Sequence, residues 1–311
     1  MHGIPTIDID LRRDSARVTR DVEYACHEIG FMYIRGHGID MGTVTAMQKM
    51  VASYFSRPLQ KKLDDRISRD NYRGYIPTGF FSPNSGEGTT DCYEGYKLHF
   101  EASADDPICN ACDLYGPNKW PVDPAGFKKV VLNYWDACDV VAHRLLRILA
   151  QIMSVDCDWF TQLFDKPLTN MTLLHYPLPQ EGVAGFGIHP HKDTDALTIV
   201  APDATGSLMV RQRGSSDWLE VSAPDDALIV NIGDMLELWS GGYFVSTPHK
   251  VVNTSGAERY SFPYFVVPRF DTVVEPLIEP QPGFKRQSFH VGDISREVWR
   301  TNWPDTTPNN P

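Results

Sequence analysis

Two histidines and an aspartate in the second half of the chain have the types and spacing of a metal site. His191 and Asp193 are separated by one residue, and His249 follows the run Ser-Thr-Pro further along. In an extended strand, residues i and i+2 project to the same side, about 6–7 Å apart along the backbone. Two imidazoles and one carboxylate can hold a ferrous ion on one face and leave the opposite face open to small molecules and dioxygen. We therefore expect His191, Asp193 and His249 to bind a metal ion.

An arginine and a serine follow the second histidine at a spacing that suits a carboxylate. Arg259 lies ten residues after His249, and Ser261 lies two further, on the same side of an extended strand. A guanidinium binds a carboxylate through two parallel hydrogen bonds, and a hydroxyl adds a third. An arginine in a surface ion pair would explain neither the serine nor the apolar run after it. The combined pattern predicts a dicarboxylate co-substrate beside the metal and is typical of non-haem Fe(II) oxygenases.

Composition and charge limit the classes of partner. The chain has 311 residues with 42% hydrophobic and 22% charged residues, which is ordinary for a globular protein. Its net charge of −11 argues against binding nucleic acid or an anionic membrane. No secretory signal, membrane-spanning run or disulfide framework is evident, so we expect a cytoplasmic protein. The expected partner is a small-molecule substrate, and the expected state is a monomer or a weak homo-oligomer.

Helical periodicity is concentrated in the first half of the chain. Apolar residues recur at spacings of three and four over residues 15–29 and 41–55, and a strand is expected between them at 31–34. The longest helix is expected over 127–153, where one apolar stripe runs along the whole segment. That stripe carries no residue suited to chemistry. It predicts a helix that packs against a sheet.

After Met171 the pattern changes to short β runs separated by Gly, Pro, Asp and Ser. This pattern favours an antiparallel sandwich or jelly roll over an alternating parallel α/β sheet. The expected strands are 172–175, 197–200, 208–212, 218–221, 227–232, 235–239, 243–246, 249–252 and 260–266. The fold class is therefore mainly β with flanking helices (α+β).

The chain resembles the isopenicillin N synthase-like family of Fe(II)/2-oxoglutarate-dependent oxygenases, through segments that stand in family order over nearly its whole length. These segments are Ile-Pro-Thr-Ile-Asp at 4–8, Gly-Phe-Met-Tyr at 30–33, Gly-His-Gly-Ile at 36–39, Arg-Gly-Tyr at 73–75, Gly-Pro-Asn-Lys-Trp-Pro at 116–121, Leu-Leu-His-Tyr-Pro at 173–177, His191-x-Asp193, Asn-Ile-Gly-Asp at 231–234, Ser-Thr-Pro-His-Lys-Val-Val at 246–252 and Arg-Tyr-Ser at 259–261. A series of this kind is far more specific than the metal triad alone.

The resemblance implies a distorted double-stranded β-helix, or jelly-roll, core with Fe(II) bound by His191, Asp193 and His249. It implies that Arg259 and Ser261 hold the distal carboxylate of 2-oxoglutarate, and that Tyr176 faces the same pocket. Many plant relatives carry an asparagine at the position of Leu174, so this chain lacks that polar group. His189 lies two residues before His191, so the segment reads His-x-His-x-Asp. Two interpretations of His189 stay open: it faces the metal or the substrate, or it is a loop histidine with no function.

The same resemblance suggests one integrated unit made of four segments. They are an N-terminal dioxygenase region at 1–120, a packing helical segment at 121–170, the jelly-roll core at 171–270 and a C-terminal segment at 271–311. The substrate pocket is expected near residues 75–100, at the loop 180–188 and after Pro268. Within the first of these, Phe80, Phe81, Tyr93, Tyr96 and Lys97 suggest an aromatic pocket with one cation.

The implied reaction uses Fe(II), 2-oxoglutarate and O2. The co-substrate is converted to succinate and CO2 while an unactivated C–H bond of a metabolite or natural-product intermediate is hydroxylated, desaturated or closed into a ring. Halogenation is disfavoured because Asp193 occupies the position that halogenating relatives leave vacant. Three alternatives stay open at this point: an iron oxidase of the isopenicillin N synthase or ACC oxidase type without 2-oxoglutarate, a zinc hydrolase, and a non-catalytic jelly-roll binding protein.

Overall fold

The architecture is a jelly roll of two sheets with helices packed on its outside, in a computed structural model that describes residues 3–10, 12–80, 91–178, 187–203, 205–253 and 256–303. The larger sheet has the order β1-β2-β10-β7-β13-β5-β4-β3, and β12 pairs with the end of β5 that β13 does not cover. The smaller sheet has the order β6-β11-β8-β9. The expected fold class, mainly β with flanking helices, is confirmed.

The elements follow one another along the chain with these bounds. They are β1 Thr6–Asp8, α1 Ser15–Glu28, β2 Phe31–Arg35, α2 Met41–Phe55, α3 Leu59–Leu63, β3 Gly74–Ile76, β4 Glu94–His99, α4 Pro107–Ala111, α5 Phe127–Ile152, α6 Cys157–Gln162, β5 Asn170–Tyr176, β6 Ile188–His191, β7 Leu197–Val200, β8 Leu208–Val210, β9 Leu219–Glu220, β10 Leu228–Ile232, α7 Asp234–Trp239, β11 His249–Val251, β12 Arg259–Ser261, β13 Tyr264–Val266, β14 Val273–Val274, β15 Phe289–His290 and α8 Val291–Asn302.

The long helix α5 packs against the sheet as its apolar stripe predicted. The stripe residues from Phe127 to Leu149 are almost completely buried. The ring of Tyr134 lies edge-on to Phe262 at 5.0 Å, and Trp135 meets Tyr264 of β13 in the same way at 5.0 Å. These aromatic contacts cover the outer face of the larger sheet with α5. The functional site must therefore lie on the inner face of that sheet.

Three strand predictions are wrong, and each has a local reason. The segment predicted at 235–239 is the helix α7, because its apolar residues are spaced i, i+1, i+3 and i+4 and acidic side chains occupy its first turn. The segment predicted at 243–246 forms no strand, since two left-handed glycines precede it and the amide of Val245 donates to the carbonyl of Cys26 instead. The strand predicted at 260–266 is divided into β12 and β13 at Pro263, which has no amide hydrogen to donate.

The first hundred residues contribute strands to the same sheet as the core. β2 pairs with β10, and β4 pairs with β5 over six residue pairs. The sheet therefore crosses the segment boundaries expected from the sequence. All six cysteines are free.

Candidate active site

The two histidines of the predicted metal site face each other across a strand pair of the smaller sheet. His249, the first residue of β11, is paired directly with His191, the last residue of β6. Side chains of directly opposed residues lie on the same face of a sheet. The centres of the two imidazole rings are 4.3 Å apart. Pairing of strands that are distant in sequence thus brings the second histidine to the first.

Asp193 completes a compact group of three ligand atoms. Its Oδ1 lies 3.7 Å from Nε2 of His191 and 3.7 Å from Nε2 of His249. The three atoms are all within 4.8 Å of one another, and Asp193 and His249 are buried. Within the described residues this is the one cluster of His, Cys, Asp and Glu side chains that could hold a metal ion.

Backbone carbonyls fix the tautomer of both imidazoles. Nδ1 of His191 lies 2.8 Å from the carbonyl of His189, and Nδ1 of His249 lies 3.2 Å from the carbonyl of Thr247. A carbonyl oxygen only accepts, so Nδ1 carries the hydrogen in each ring and Nε2 presents its lone pair to the metal position. Burial lowers the pKa of His249 to about 4, which keeps this ring neutral at physiological pH.

Two side chains hold the second oxygen of Asp193. The Thr198 hydroxyl donates to Oδ2 at 2.5 Å, and the Asn231 amide donates to the same oxygen at 2.8 Å. Burial alone would raise the pKa of Asp193, but His249, His191 and these two hydrogen bonds together lower it. The carboxylate is therefore ionised, with Oδ1 directed at the imidazoles. Sequence reasoning did not assign a role to Thr198 or Asn231, which are directly opposed on β7 and β10.

Arg259 lies where its spacing to Ser261 predicts, with its donors only partly used. It is paired with Tyr176 across β12 and β5, and its guanidinium carbon sits 4.7 Å from the centre of that ring. Nε donates to Asp203 at 2.9 Å, and Nη2 lies 3.5 Å from the Ser261 hydroxyl. Nη1 is buried and has no hydrogen-bond partner among the described residues. Asp203, which orients the guanidinium, was not anticipated because its partner is distant in sequence.

Apolar packing connects this arginine to the metal group. Tyr176 and Leu174 of β5 form a small buried cluster with Val251. Val251 is two residues beyond His249 on β11, and the ring of Tyr176 lies beneath Arg259. Leu174 therefore packs here through apolar contacts where many plant relatives have an amide.

His189 stands beside the metal group without belonging to it. Its Nδ1 lies 2.6 Å from Oδ1 of Asp91, and its backbone amide donates to the same oxygen at 3.0 Å. Its carbonyl accepts the hydrogen of the His191 ring, and its side chain lines a cavity next to the metal group. His189, the first histidine of the His-x-His-x-Asp run, is thus held by Asp91, and its side chain forms part of the cavity wall.

The cavity has a volume of about 630 Å³, a size typical of small-molecule sites. Tyr93 and Lys97 line it, as expected from the sequence. Tyr96 does not, because alternation along β4 turns it into the core against Tyr54. Phe80 does not line it but packs behind Tyr72 and Ile76, which do, and Phe81 lies outside the described residues. The loop predicted at 180–188 is described only for its last two residues, and Ile188 lines the cavity.

Comparison with known proteins assigns the family. Residues 4–123 match the model of the N-terminal region of non-haem dioxygenases in morphine synthesis, and residues 168–268 match the 2OG-Fe(II) oxygenase superfamily. The chain belongs to this superfamily. It is therefore a non-haem oxygenase that uses Fe(II), 2-oxoglutarate and O2, and the zinc hydrolase and the non-catalytic binding protein are no longer alternatives.

Individual relatives agree with the assignment. A probable iron/ascorbate oxidoreductase of Dictyostelium discoideum is 30% identical over 82% of this chain and 76% of its own length. The 2-oxoglutarate-dependent dioxygenase thnC of Trichoderma harzianum is 31% identical over 80% of this chain and 77% of its own.

A solved structure has the same fold. The crystal structure of a full-length Neurospora crassa protein in complex with alpha-KG and thymine has a TM-score of 0.84 at 22% identity, covering 96% of this chain and 97% of that one. This likeness supports the jelly-roll fold of the oxygenase. No helix in the described ranges of the present chain is both long enough and apolar enough to cross a membrane.

Proposed function

We propose that His191, Asp193 and His249 bind the ferrous ion of this oxygenase, and that Arg259, Ser261 and Tyr176 bind 2-oxoglutarate. The donor set of two imidazole nitrogens and one carboxylate oxygen fits Fe(II) and leaves coordination positions free on one side. The three ligand atoms already converge, with both Nε2 lone pairs available. The three ligand atoms are therefore close enough to be brought onto one ion.

The observation that carries the co-substrate assignment is the unpaired Nη1 of Arg259. A buried guanidinium group without a partner is costly, and a carboxylate bound across Nη1 and Nη2 would satisfy it. The Ser261 hydroxyl, 3.5 Å from Nη2, supplies a further donor. The guanidinium lies over the ring of Tyr176, and Asp203 fixes its orientation by accepting a hydrogen bond from Nε. This arrangement fits the distal carboxylate of a five-carbon diacid.

The protein residues bind, orient and shield the reactants. Thr198 and Asn231 hold Asp193 so that only Oδ1 faces the metal position. The apolar cluster of Tyr176, Leu174 and Val251 excludes water beside the co-substrate. When bound, the iron and 2-oxoglutarate supply the oxidising power for C–H oxidation, with succinate and CO2 as co-products. The cavity beside His191 and Asp193 would hold the C–H bond that is oxidised.

The substrate that we propose is a free small molecule, a metabolite or natural-product intermediate, which is hydroxylated, desaturated or cyclised. The cavity volume supports this, because it suits a molecule of that size and not a folded macromolecule. A cytoplasmic location, a monomeric or weakly associated state, the absence of nucleic-acid binding and the four-segment division of the chain stay predictions.

The assignment is tested by replacing Arg259. Anaerobic titration of 2-oxoglutarate into iron-loaded protein should show binding weakened about 100-fold in Arg259→Met, since charge-assisted hydrogen bonds contribute about 1.5–3 kcal/mol each. Arg259→Lys should retain part of the affinity. Arg269→Met is the matched control, because Arg269 is half-exposed and already paired with Asp271, and it should bind normally.

Two results would contradict the proposal. Unchanged 2-oxoglutarate affinity in Arg259→Met would show that another group holds the distal carboxylate. Turnover of a substrate with iron and oxygen but without 2-oxoglutarate would favour the oxidase alternative. A relative of that kind exists, since a 1-aminocyclopropane-1-carboxylate oxidase of Dictyostelium mucoroides is 27% identical to this chain. Succinate released in proportion to oxidised substrate is the result expected.

A further inference from the structure

Among the described residues, a lysine on the wall of the cavity donates hydrogen bonds only to neutral side chains. Lys97 of β4 is directly opposed to Thr172 of β5. Its Nζ donates to Oδ1 of Asn170 at 2.6 Å and to the Thr172 hydroxyl at 2.9 Å, and it lies 5.2 Å from the centre of the Phe265 ring. All three partners are neutral. An ammonium has three donor hydrogens, so one is left without a hydrogen-bond acceptor in the described part of the chain.

A second lysine on the same cavity shows the usual arrangement. Lys192 is paired with Glu237 at 2.8 Å and with Asp234 at 3.5 Å. Lys97 has no carboxylate within 4.0 Å among the residues that the structure describes. Burial lowers the pKa of Lys97 to about 8, against the opposing effect of Asp195 and Asp193, so the ammonium is still charged at neutral pH. A cation in such a place is stabilised when an anion binds beside it.

The co-substrate is not this anion. Thr172, opposite Lys97, and Tyr176, opposite Arg259, are four residues apart on the same face of β5. At the rise of an extended strand, the backbone positions opposite the two cationic residues are roughly 13 Å apart along the sheet. A five-carbon diacid held by Arg259 does not reach Lys97. The sheet thus presents two separate cationic side chains, and the second, Lys97, lines the cavity.

One part of the cavity wall is aromatic, while Asp91, Asp193, Asp195 and Asp234 line other parts of it. Tyr72 and Trp299 stack with their ring centres 4.9 Å apart, and both line the cavity together with Tyr93 and Phe265. Trp299, Tyr93 and Phe265 are only partly buried, so their rings are available to contact a flat, apolar body. A ligand that contacts both Lys97 and these rings carries one negative group and a flat, apolar part.

From this geometry we infer that the substrate is a small aromatic or alicyclic carboxylic acid whose carboxylate binds Lys97 and whose ring lies between Trp299, Tyr93 and Phe265. The inference rests on the proposed function, since it names the substrate class of the same site. A carboxylate fits better than a phosphate because Lys97 offers a single free hydrogen, whereas a dianionic phosphate is usually met by several donors. The acid would be oxidised on its carbon frame, with the carboxylate serving as the handle.

The test compares acids with their neutral amides. Phenylacetate and 2-naphthylacetate, their amides and phenyl phosphate are titrated calorimetrically into metal-free protein and into protein loaded with iron and 2-oxoglutarate. The acids should bind at least about 10-fold more tightly than the amides.

Lys97→Met should weaken acid binding by about 10- to 100-fold and leave the binding of the amides unchanged, whereas Lys97→Arg should retain the preference for acids. Lys192→Met, which removes a cavity lysine that is already paired, should keep the preference as well. Far-ultraviolet circular dichroism reports whether each variant is folded.

The outcomes separate this inference from the proposed function. Equal binding of acids and amides to the wild type, an equal loss of both in Lys97→Met, or a preference for phenyl phosphate would overturn the carboxylate inference while leaving the Arg259 test standing. If Lys97→Met instead abolished 2-oxoglutarate binding, Lys97 would be the co-substrate anchor, and both proposals would fall. Loss of the acid preference in Lys97→Met, with 2-oxoglutarate affinity unchanged, is the result that supports the inference.

Discussion

At the scale of single residues, the proposed iron ligands are held by groups that do not reach the metal position. Carbonyls of His189 and Thr247 orient the imidazoles, and Thr198 with Asn231 orients Asp193. Such contacts fix which ligand atom faces the ion, and their removal commonly weakens metal affinity by 10- to 100-fold. The affinity of the site for iron should therefore depend on residues outside the triad.

Thr198 offers a direct test of this dependence. In Thr198→Val the hydroxyl is lost at nearly constant volume, so Oδ2 of Asp193 keeps only the Asn231 hydrogen bond. We expect the dissociation constant for Fe(II), measured by anaerobic equilibrium titration, to rise by about 10-fold. Thr198→Ser keeps the hydroxyl and should bind iron like the wild type. Equal affinities for all three proteins would show that the hydroxyl has no part in holding the carboxylate.

The residues proposed to bind iron and 2-oxoglutarate could be predicted from the sequence. The residues that hold them in position could not. His191, Asp193, His249, Arg259, Ser261 and Tyr176 come together in the structure, although their individual roles stay predictions. Spacing within one strand, or a resemblance to family motifs, was sufficient to select them. Thr198 and Asn231 acquire their roles through strand pairing, and Asp203 through a side-chain contact with the distant Arg259, and no local pattern encodes either.

At the scale of elements, β4 shows why a strand can be missed. It places Glu94, Tyr96 and Leu98 on one face and Lys97 and His99 on the other, and all of these except the half-buried Lys97 are buried. Polar residues on both sides remove the alternation that marks a half-buried strand. The polar side chains have separate purposes, since Glu94 forms an ion pair in the core and Lys97 faces the cavity. Sequence patterns fail here because buried polar residues stand where a half-buried strand would alternate polar and apolar residues.

The helix α8 forms one wall of the cavity through Trp299. Replacing this residue by alanine removes the stack on Tyr72 and the edge contact with His99, whose ring centre is 5.3 Å away. We expect binding of 2-naphthylacetate to weaken about 10-fold, because aromatic contact area is lost. Affinity for 2-oxoglutarate should stay constant, since Arg259 lies at the other end of the β5 face.

Two variants make the Trp299 measurement specific. Trp299→Phe keeps an aromatic ring in the wall and should retain most of the affinity for 2-naphthylacetate. Trp159→Ala removes an exposed tryptophan that does not line the cavity and should have no effect. A parallel loss of 2-oxoglutarate affinity in Trp299→Ala would mean that α8 supports the whole site and not the cavity wall alone.

At the scale of the whole molecule, a buried ionic network joins the N-terminal region to the jelly-roll core. Glu94 accepts from Lys62 at 2.6 Å and from the Tyr75 hydroxyl at 2.5 Å, and its other oxygen lies 2.8 Å from Nδ1 of His175. These residues come from α3, β3, β4 and β5. Together with the pairing of β4 and β5, the network predicts that the N-terminal region and the core unfold in one cooperative transition.

Glu94→Gln tests this coupling. Removing one charge from a buried pair leaves Lys62 uncompensated, so the free energy of unfolding at pH 7, measured by urea denaturation, should fall by about 3 kcal/mol.

Although burial opposes it, hydrogen bonds from His175, Lys62 and Tyr75 lower the pKa of Glu94 below its usual value. The stabilisation is thus complete above about pH 4.5 and is lost as pH falls through the folded pKa, so wild type and variant should converge in acid. Asp106→Asn, which breaks the exposed pair with Lys166, should change stability by less than about 1 kcal/mol. Equal effects of the two substitutions, or two separate transitions in the wild type, would show that the network does not join the two regions into one unit.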